Sequence, residues 1–386
     1  MTFQIALPRL MKVGAGAVQE LGEVLAELGA QRPLIVTDPF MDKSGTVDVA
    51  VRALRTAGFE AAVFAETVPD PTTDSLRAGL DAVERHKADV LIGFGGGSSI
   101  DTAKALGLLS LQGGPMRQYK APRRNTGPSL PVVAVPTTAG SGSEATQFSI
   151  ISDSETNEKM LCAGPAFLPV AAVVDYELTL SMPARLSADT GIDALTHAIE
   201  AYVSRKANPF SDGFALAAIS AIGRNLRDVY KDGSNREARE AMMLAATQAG
   251  IAFSNSSVAL VHGMSRPLGA HFHIAHGLAN AMLFPAVTEF SAAGAEARYA
   301  ECARALGAAG PEDDDDAAAK ALVAELHALN QDLGVPTPQS YGISADDWHR
   351  LIPVMAEQAL ASGSPANNPV VPEASEIQAL YAKVYA

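Results

Sequence analysis

Asp193 and His197 stand four residues apart in the stretch Leu186–Glu200, whose Ala, Leu and Ile spacing predicts a helix with Ser187 as its N-cap. An i, i+4 pair projects from one helix face, so a carboxylate and an imidazole are presented together. Five of the eight histidines fall between residues 197 and 276, and four of those (His262, His271, His273 and His276) fall within one 15-residue window. A lone buried histidine is more often a core residue than a ligand, and this density argues against that ordinary explanation. On one straight helix His262 and His276 would lie roughly 21 Å apart at about 1.5 Å per residue, too far to share an ion. The chain is therefore expected to turn between them, with Pro267 and Gly269 placed to break the helix. One carboxylate with three imidazoles suits Zn²⁺, Fe²⁺, Mn²⁺ or Co²⁺, and the ligand list does not choose among them.

A second kind of chemistry is suggested nearer the N-terminus. Residues Val90–Lys104 read as a strand entering Gly95-Gly96-Gly97 and then a helix. Backbone N–H groups in such a turn approach a phosphate closely, and the helix start adds its positive dipole end. A pyrophosphate fits, although the pattern is neither G-x-G-x-x-G nor a Walker loop. A second loop, Pro136–Glu144 (PTTAGSGSE), follows another strand with hydroxyls suited to a ribose or phosphate. Neither loop matches G-x-S-x-G, so its serines do not argue for a hydrolase. Asp38 closes a strand where a carboxylate could accept the adenosine ribose hydroxyls; capping the next helix is the competing role.

The elements that must position these groups change character along the chain. Candidate strands Pro33–Thr37, Ala61–Phe64, Asp89–Phe94, Leu130–Val135 and Ala171–Val174 alternate with helical patterns such as Val18–Leu28 and Ser75–His86. That is the rhythm of a parallel α/β sheet, whose strand ends carry ligand loops. After about Ser181 Ala and Leu dominate at helical spacing, and an all-helical half is expected. The expected division is an α/β dinucleotide-binding domain over residues 1–180 and an all-α metal-binding domain over 181–386, with Pro183 at the junction. The acidic run Glu312–Asp316 reads as a solvated helix start.

With 386 residues, two domains are expected. A net charge of -14 and the absence of any basic tract exclude nucleic acid as a partner. Cys162 and Cys302, far apart and in no C-x-x-C, read as buried structural thiols in a reducing compartment. The N-terminal residues lack a long apolar run and no stretch offers about 18 uninterrupted apolar residues, so a cytoplasmic protein without membrane association is expected.

These motifs, taken together, resemble the iron-containing (group III) alcohol dehydrogenase family over essentially the whole chain, close to its lactaldehyde reductase and 1,3-propanediol dehydrogenase branch. The matching segments are Gly95–Lys104 (GGGSSIDTAK), Pro136–Thr146 (PTTAGSGSEAT), Gly191–Tyr202 (GIDALTHAIEAY), and His262-Gly-Met followed fourteen residues on by His276-Gly277. The resemblance implies a dehydroquinate-synthase-like fold with the active site in the cleft between its domains, and NAD and Fe²⁺ as cofactors. It implies Asp193, His197, His262 and His276 as metal ligands and Gly96, Gly97, Ser98 and Asp101 at the pyrophosphate. Thr137, Thr138, Ser141 and Lys159 would line the cofactor, Asp38 and Asp70 would lie near the adenosine ribose, and Phe148 and Phe253 would line the substrate pocket. The implied reaction is reversible hydride transfer between nicotinamide and a small alcohol or aldehyde, in a homodimer.

Two departures from the family pattern stand out. Where many members carry His-x-x-x-His-Pro, this chain has His262-Gly-Met-Ser-Arg266-Pro267, and the frequent Asn-Pro-Arg is Asn368-Pro369-Val370. A guanidinium is a poor proton relay and a good anion clamp, so Arg266 is expected either to bind an anionic group on the substrate or to pair with a structural carboxylate or the cofactor phosphates. His271 and His273 are then candidate proton donors. Two other readings of the same scaffold are a dehydroquinate-synthase-like lyase that uses NAD transiently and a non-catalytic NAD-binding protein.

Overall fold

The computed structural model describes residues 2–156 and 158–386. The chain divides into two compact units, Gln4–Ser181 and one built from Met182–Ala386.

The first unit is organised by strands β1 (Leu10–Val13), β2 (Pro33–Val36), β3 (Ala62–Phe64), β4 (Val90–Gly95), β5 (Val132–Pro136), β6 (Phe148–Ser152), β7 (Lys159–Ala163) and β8 (Ala171–Val174). Six of them form a sheet in the order β1-β8-β5-β4-β2-β3, every pair parallel. Helices α1 (Leu21–Leu28), α2 (Pro39–Lys43), α3 (Asp48–Thr56), α4 (Leu76–His86) and α5 (Gly97–Gln112) connect and cover it. Both faces are buried, which is why the strands read as nearly unbroken apolar runs. Leu34, Val36, Leu91 and Val132 pack with Ala82, Val83, Ala103 and Leu106 of α4 and α5. Ile35, Ile92, Phe94 and Val133 face the other way, onto Leu21, Val24, Ala50 and Leu54 of α1 and α3.

The sheet's order reverses between β2 and β4, the position at which open α/β sheets leave a crevice at their carboxyl ends. Asp38 follows β2 there, and the three glycines run from the end of β4 into α5.

Two features escaped the sequence pattern. β1 is an edge strand (LMKV) with no fully buried position and a lysine in its middle, so it lacks the continuous apolar run of the inner strands. β6 and β7 form a separate antiparallel hairpin in which Ser149, Ile151, Met160 and Cys162 are buried in alternation. Ser149 and Cys162 blur the apolar rhythm that would have marked it.

The second unit contains no strand among the described residues. Its helices include α6 (Ala184–Val203), α7 (Pro209–Lys231), α8 (Arg236–Ser254), α9 (Leu260–Phe272), α10 (His276–Ala292), α11 (Glu296–Leu306) and α12 (Asp315–Asp332). Asp314 caps α12, accepting from the Ala317 N–H, so the acidic run is a helix start. No described helix is long and apolar enough to cross a membrane. Both cysteines are buried and unbridged.

Two local expectations are overturned. α6 begins at Ala184 with Pro183 as its N-cap, and Ser187 lies inside the helix, where its Oγ accepts from Arg239 at 2.8 Å. α9 runs through Pro267 and Gly269 and reverses only at His273, which adopts the left-handed conformation with φ 54°. Proline removes one helical hydrogen bond and crowds the carbonyl four residues before it. Burial of Leu260, Val261, Met264 and Leu268 on the same helix outweighs that cost.

Candidate metal centre and nucleotide loops

The metal-ligand candidates come from three helices. α6 supplies Asp193 and His197 from one face, α9 supplies His262 from its first turn, and α10 supplies His276 as its first residue. The reversal at 273–275 brings the last two together, and Gly277 lets α10 lie against α6. A Cβ at that position would stand 2.3 Å from the Asp189 carbonyl oxygen, so only glycine permits the approach.

One donor atom from each of the four residues lies within 4.8 Å of the others. The Asp193 Oδ1 is 3.5 Å from His262 Nε2, 3.7 Å from His276 Nε2 and 3.9 Å from His197 Nδ1. Ligands held at about 2.0–2.2 Å around a tetrahedral ion are roughly 3.3–3.6 Å apart, so the donor set fits a divalent transition ion with small adjustments. Burial works to raise the Asp193 carboxyl, but His197, His276 and His262 around it prevail and hold it well below the usual carboxylate range.

Two residues that sequence reasoning missed organise the tetrad. Glu200, three residues after His197 on α6, is buried, and its carboxylate accepts from Ala259 N at 2.8 Å, Val261 N at 2.6 Å and His262 Nδ1 at 2.6 Å. It therefore fixes the start of α9 and, in the neutral ring, holds the proton on Nδ1 so that the Nε2 lone pair faces the cluster. Burial would lower His262, but Glu200 and Asp193 favour its protonated form and raise its pKa to about 9 in the metal-free protein.

Asn280, four residues after His276 on α10, donates from Nδ2 to Asp193 Oδ1 at 2.6 Å and lies 3.2 Å from His262 Nε2. Turning the amide over would set its oxygen against the Asp193 carboxylate, so this orientation is the favourable one. Helical spacing of three and four residues from known histidines was the available signal for both. His197 is also sandwiched between rings, with Phe253 at 4.2 Å and His262 at 4.4 Å.

The remaining expected residues of this unit are placed as follows. Arg266 is half-buried on α9, one turn after His262. His271 pairs through Nε2 with Gln358 at 2.8 Å, and His273 is exposed at the turn.

In the α/β unit the N-terminus of α5 has no side-chain cap, which leaves its first N–H groups for a ligand. Gly96 is the N-cap, and Gly97 and Ser98 open the helix. Gly95 has φ 146° and a Cβ there would meet Ser99 Oγ at 2.6 Å, so the cradle requires glycine. The second loop is tied alongside through Thr137 N and the Gly95 carbonyl at 2.9 Å. Thr137 buries an Oγ1 that no described residue bonds, Thr138 follows it half-buried, and Ser141 Oγ accepts from Ser143 N.

Asp38 caps α2 through Oδ1, which accepts from Phe40 N at 2.9 Å and Met41 N at 3.0 Å. Its Oδ2 stands 3.3 Å from where a Gly95 Cβ would be, so capping leaves one oxygen turned to the glycine loop. Asp70 and Lys159 are joined in an ion pair of 2.9 Å.

Asp101, on the second turn of α5, also joins the two loops. Its two carboxylate oxygens accept from Ser143 Oγ at 2.7 Å and Ile150 N at 2.8 Å, so it ties the second loop and β6 to α5. The fully buried Lys104 completes the tie, donating to Ser143 Oγ, Thr146 and the Phe148 carbonyl. Burial drives its pKa down to about 8 against the pull of Asp101 and Glu144. Phe148, half-buried on β6, belongs to this unit and Phe253 to the helical one.

Comparison with known proteins matches the same halves. The model for iron-containing alcohol dehydrogenase covers residues 8–176, and that for the C-terminal part of the Fe-containing alcohol dehydrogenase family covers 187–385. The NAD-dependent methanol dehydrogenase of Bacillus methanolicus is 37% identical over 372 residues, spanning 96% of this chain and 97% of that enzyme. The 1,3-propanediol dehydrogenase of Klebsiella pneumoniae is 36% identical over 99% of both chains. A crystal structure of 1,3-propanediol oxidoreductase superposes with a TM-score of 0.96 at 35% identity, covering 100% of each chain.

Proposed function

The chain belongs to the iron-containing alcohol dehydrogenase family, and from that premise we propose how its residues divide the work of reversible hydride transfer between NAD(H) and a small alcohol or aldehyde. It is an NAD-linked, iron-dependent alcohol dehydrogenase, with relatives that are themselves dehydrogenases; neither the lyase nor the idle-binder alternative is favoured. When bound, Fe²⁺ supplies a Lewis acid for the carbonyl oxygen and nicotinamide supplies or accepts the hydride.

The chain's own residues bind and orient. Asp193, His197, His262 and His276 hold the ion, and Glu200 keeps His262 in the ligating tautomer. Phe253 packs on His197 and excludes water from one side of the tetrad, whereas His276 is 43% exposed and leaves the other side open for exchange. The uncapped start of α5, from Gly96 to Ser98, binds the pyrophosphate, with Thr137, Thr138 and Ser141 beside it. Asp38 accepts the adenosine ribose through Oδ2, and the Asp70–Lys159 pair borders the cofactor. A homodimer in the cytoplasm is part of the same reading, by likeness to the family.

The observation that carries this assignment is the convergence of one carboxylate and three imidazoles within 4.8 Å, backed by a buried carboxylate on His262. The test follows NADH absorbance with a panel of short aldehydes, before and after chelation, alongside metal analysis. Turnover should vanish with the metal and return with Fe²⁺. Full turnover in protein shown to be metal-free would refute the assignment.

A further inference from the structure

We propose that Arg266 recognises an anionic group on the substrate, so that the preferred substrate is a short aldehyde or alcohol bearing a carboxylate, sulfonate or phosphonate at its far end. The proposal rests on the dehydrogenase reading above and narrows it to a substrate class.

Arg266 follows His262 by four residues on α9, which places both on one helix face, about 6 Å apart along the axis. The side chain is half-buried, yet it makes no hydrogen bond and no ion pair with any described residue. A guanidinium carries five N–H donors, and withdrawing them from water without acceptors is costly. Burial lowers its pKa, and among the described residues the charge opposing that is Glu200.

Glu200 does not pair with it, and its carboxylate is engaged elsewhere. Its Oε1 is taken by Val261 N, and its Oε2 by Ala259 N and His262 Nδ1. The contrast with Arg239 on α8 is instructive: that side chain is 1% exposed and spends its nitrogens on the Gly233 carbonyl, Ser187 Oγ and the Met182 carbonyl. Arg266 is thus one half of an unfinished charge pair, one turn from His262, in a chain of net charge -14 that has no shortage of carboxylates to complete it. A planar fork of this kind accepts a carboxylate or an oxyanion through two parallel hydrogen bonds.

The experiment measures kcat/KM with NADH for 4-oxobutanoate and its neutral isostere 4-oxobutanamide, in metal-loaded wild type, Arg266→Gln and Arg266→Lys. Calorimetry with succinate reports anion binding independently of turnover. The wild type should prefer the anion. Arg266→Gln should lower the anionic-to-neutral ratio by about 30-fold, equivalent to about 2 kcal/mol at 1.4 kcal/mol per factor of ten. Arg266→Lys should recover part of the ratio, and succinate affinity should fall in the same order.

An unchanged ratio, with both substrates slowed alike, would overturn the proposal and assign Arg266 to the scaffold or the cofactor. Wild-type preference for the neutral aldehyde would overturn it equally. If no aldehyde is reduced but succinate binds in an Arg266-dependent way, the anion site stands and it is the dehydrogenase reading that fails.

Discussion

Replacing Glu200 by Gln tests the link from a buried carboxylate to metal affinity. The carboxylate collects three donors, two on Oε2 and one on Oε1. An amide keeps one acceptor and introduces a donor. If its nitrogen takes the Oε1 position, only the Val261 N–H is opposed; in the other orientation the Ala259 N–H and His262 Nδ1 both are. The first is therefore preferred, and one charge-assisted hydrogen bond worth about 1.5–3 kcal/mol is lost from the start of α9. His262 then faces a neutral oxygen and becomes a weaker ligand, for which outer-shell changes typically cost 10–100-fold, or about 1.4–2.8 kcal/mol, in metal affinity.

The loss depends on pH. In the metal-free wild type Glu200 and Asp193 hold His262 at about 9, so between pH 7 and 9 a proton competes with the ion and wild-type affinity should rise about tenfold per pH unit. Without the carboxylate that proton is held less tightly, which offsets part of the defect at pH 7 but not at pH 9. The defect should therefore widen with pH. Competition with a chelator of known affinity, run at pH 7, 8 and 9 beside thermal unfolding of the metal-free proteins, measures both effects. Metal affinity within threefold of wild type at pH 9 would refute the argument that Glu200 fixes the ligating form of His262.

Asp38→Asn should raise the relative kcat/KM for NADP(H) about tenfold or more, because it removes the charge that would repel a 2′-phosphate while keeping the α2 cap. Asp38→Gly should do the same at a cost of a few tenths of a kcal/mol in stability, and equal wild-type efficiency with both cofactors would show that Asp38 is not at the ribose. Burial raises the Cys302 thiol far above its ordinary 9.0, so the folded protein holds a proton that the unfolded chain gives up. Wild type should accordingly lose stability relative to Cys302→Ala above about pH 9, at about 1.4 kcal/mol per pH unit, in paired denaturant titrations; a constant difference from pH 8 to 10.5 would contradict the burial.

Much of the scaffold was legible because its signals are local. A strand buried on both faces must be continuously apolar, and β2, β4, β5 and β8 were readable to within two residues for that reason. The hairpin of β6 and β7 was not, since a core position accepts Ser149 or Cys162 as readily as valine once neighbouring elements supply the packing. Pro267 and Gly269 carried the expected helix break on propensity alone, and tertiary burial of α9 overrode it, moving the turn to His273.

The sequence by itself determined which groups can ligate a metal and which loops can cradle a phosphate. Residue type settles that chemistry, and i, i+4 spacing on α6 settles the Asp193–His197 pairing without reference to any other element. The tertiary structure alone decided what surrounds them. It brought α9 and α10 against α6, set Glu200 behind His262 and Asn280 among the ligands, turned Asp101 and Lys104 inward to hold the second loop, and left Arg266 without a partner. Hydrogen bonds act over about 3 Å while the residues that make these lie 18 to 87 positions apart along the chain, so their pairing exists only once the helices have packed.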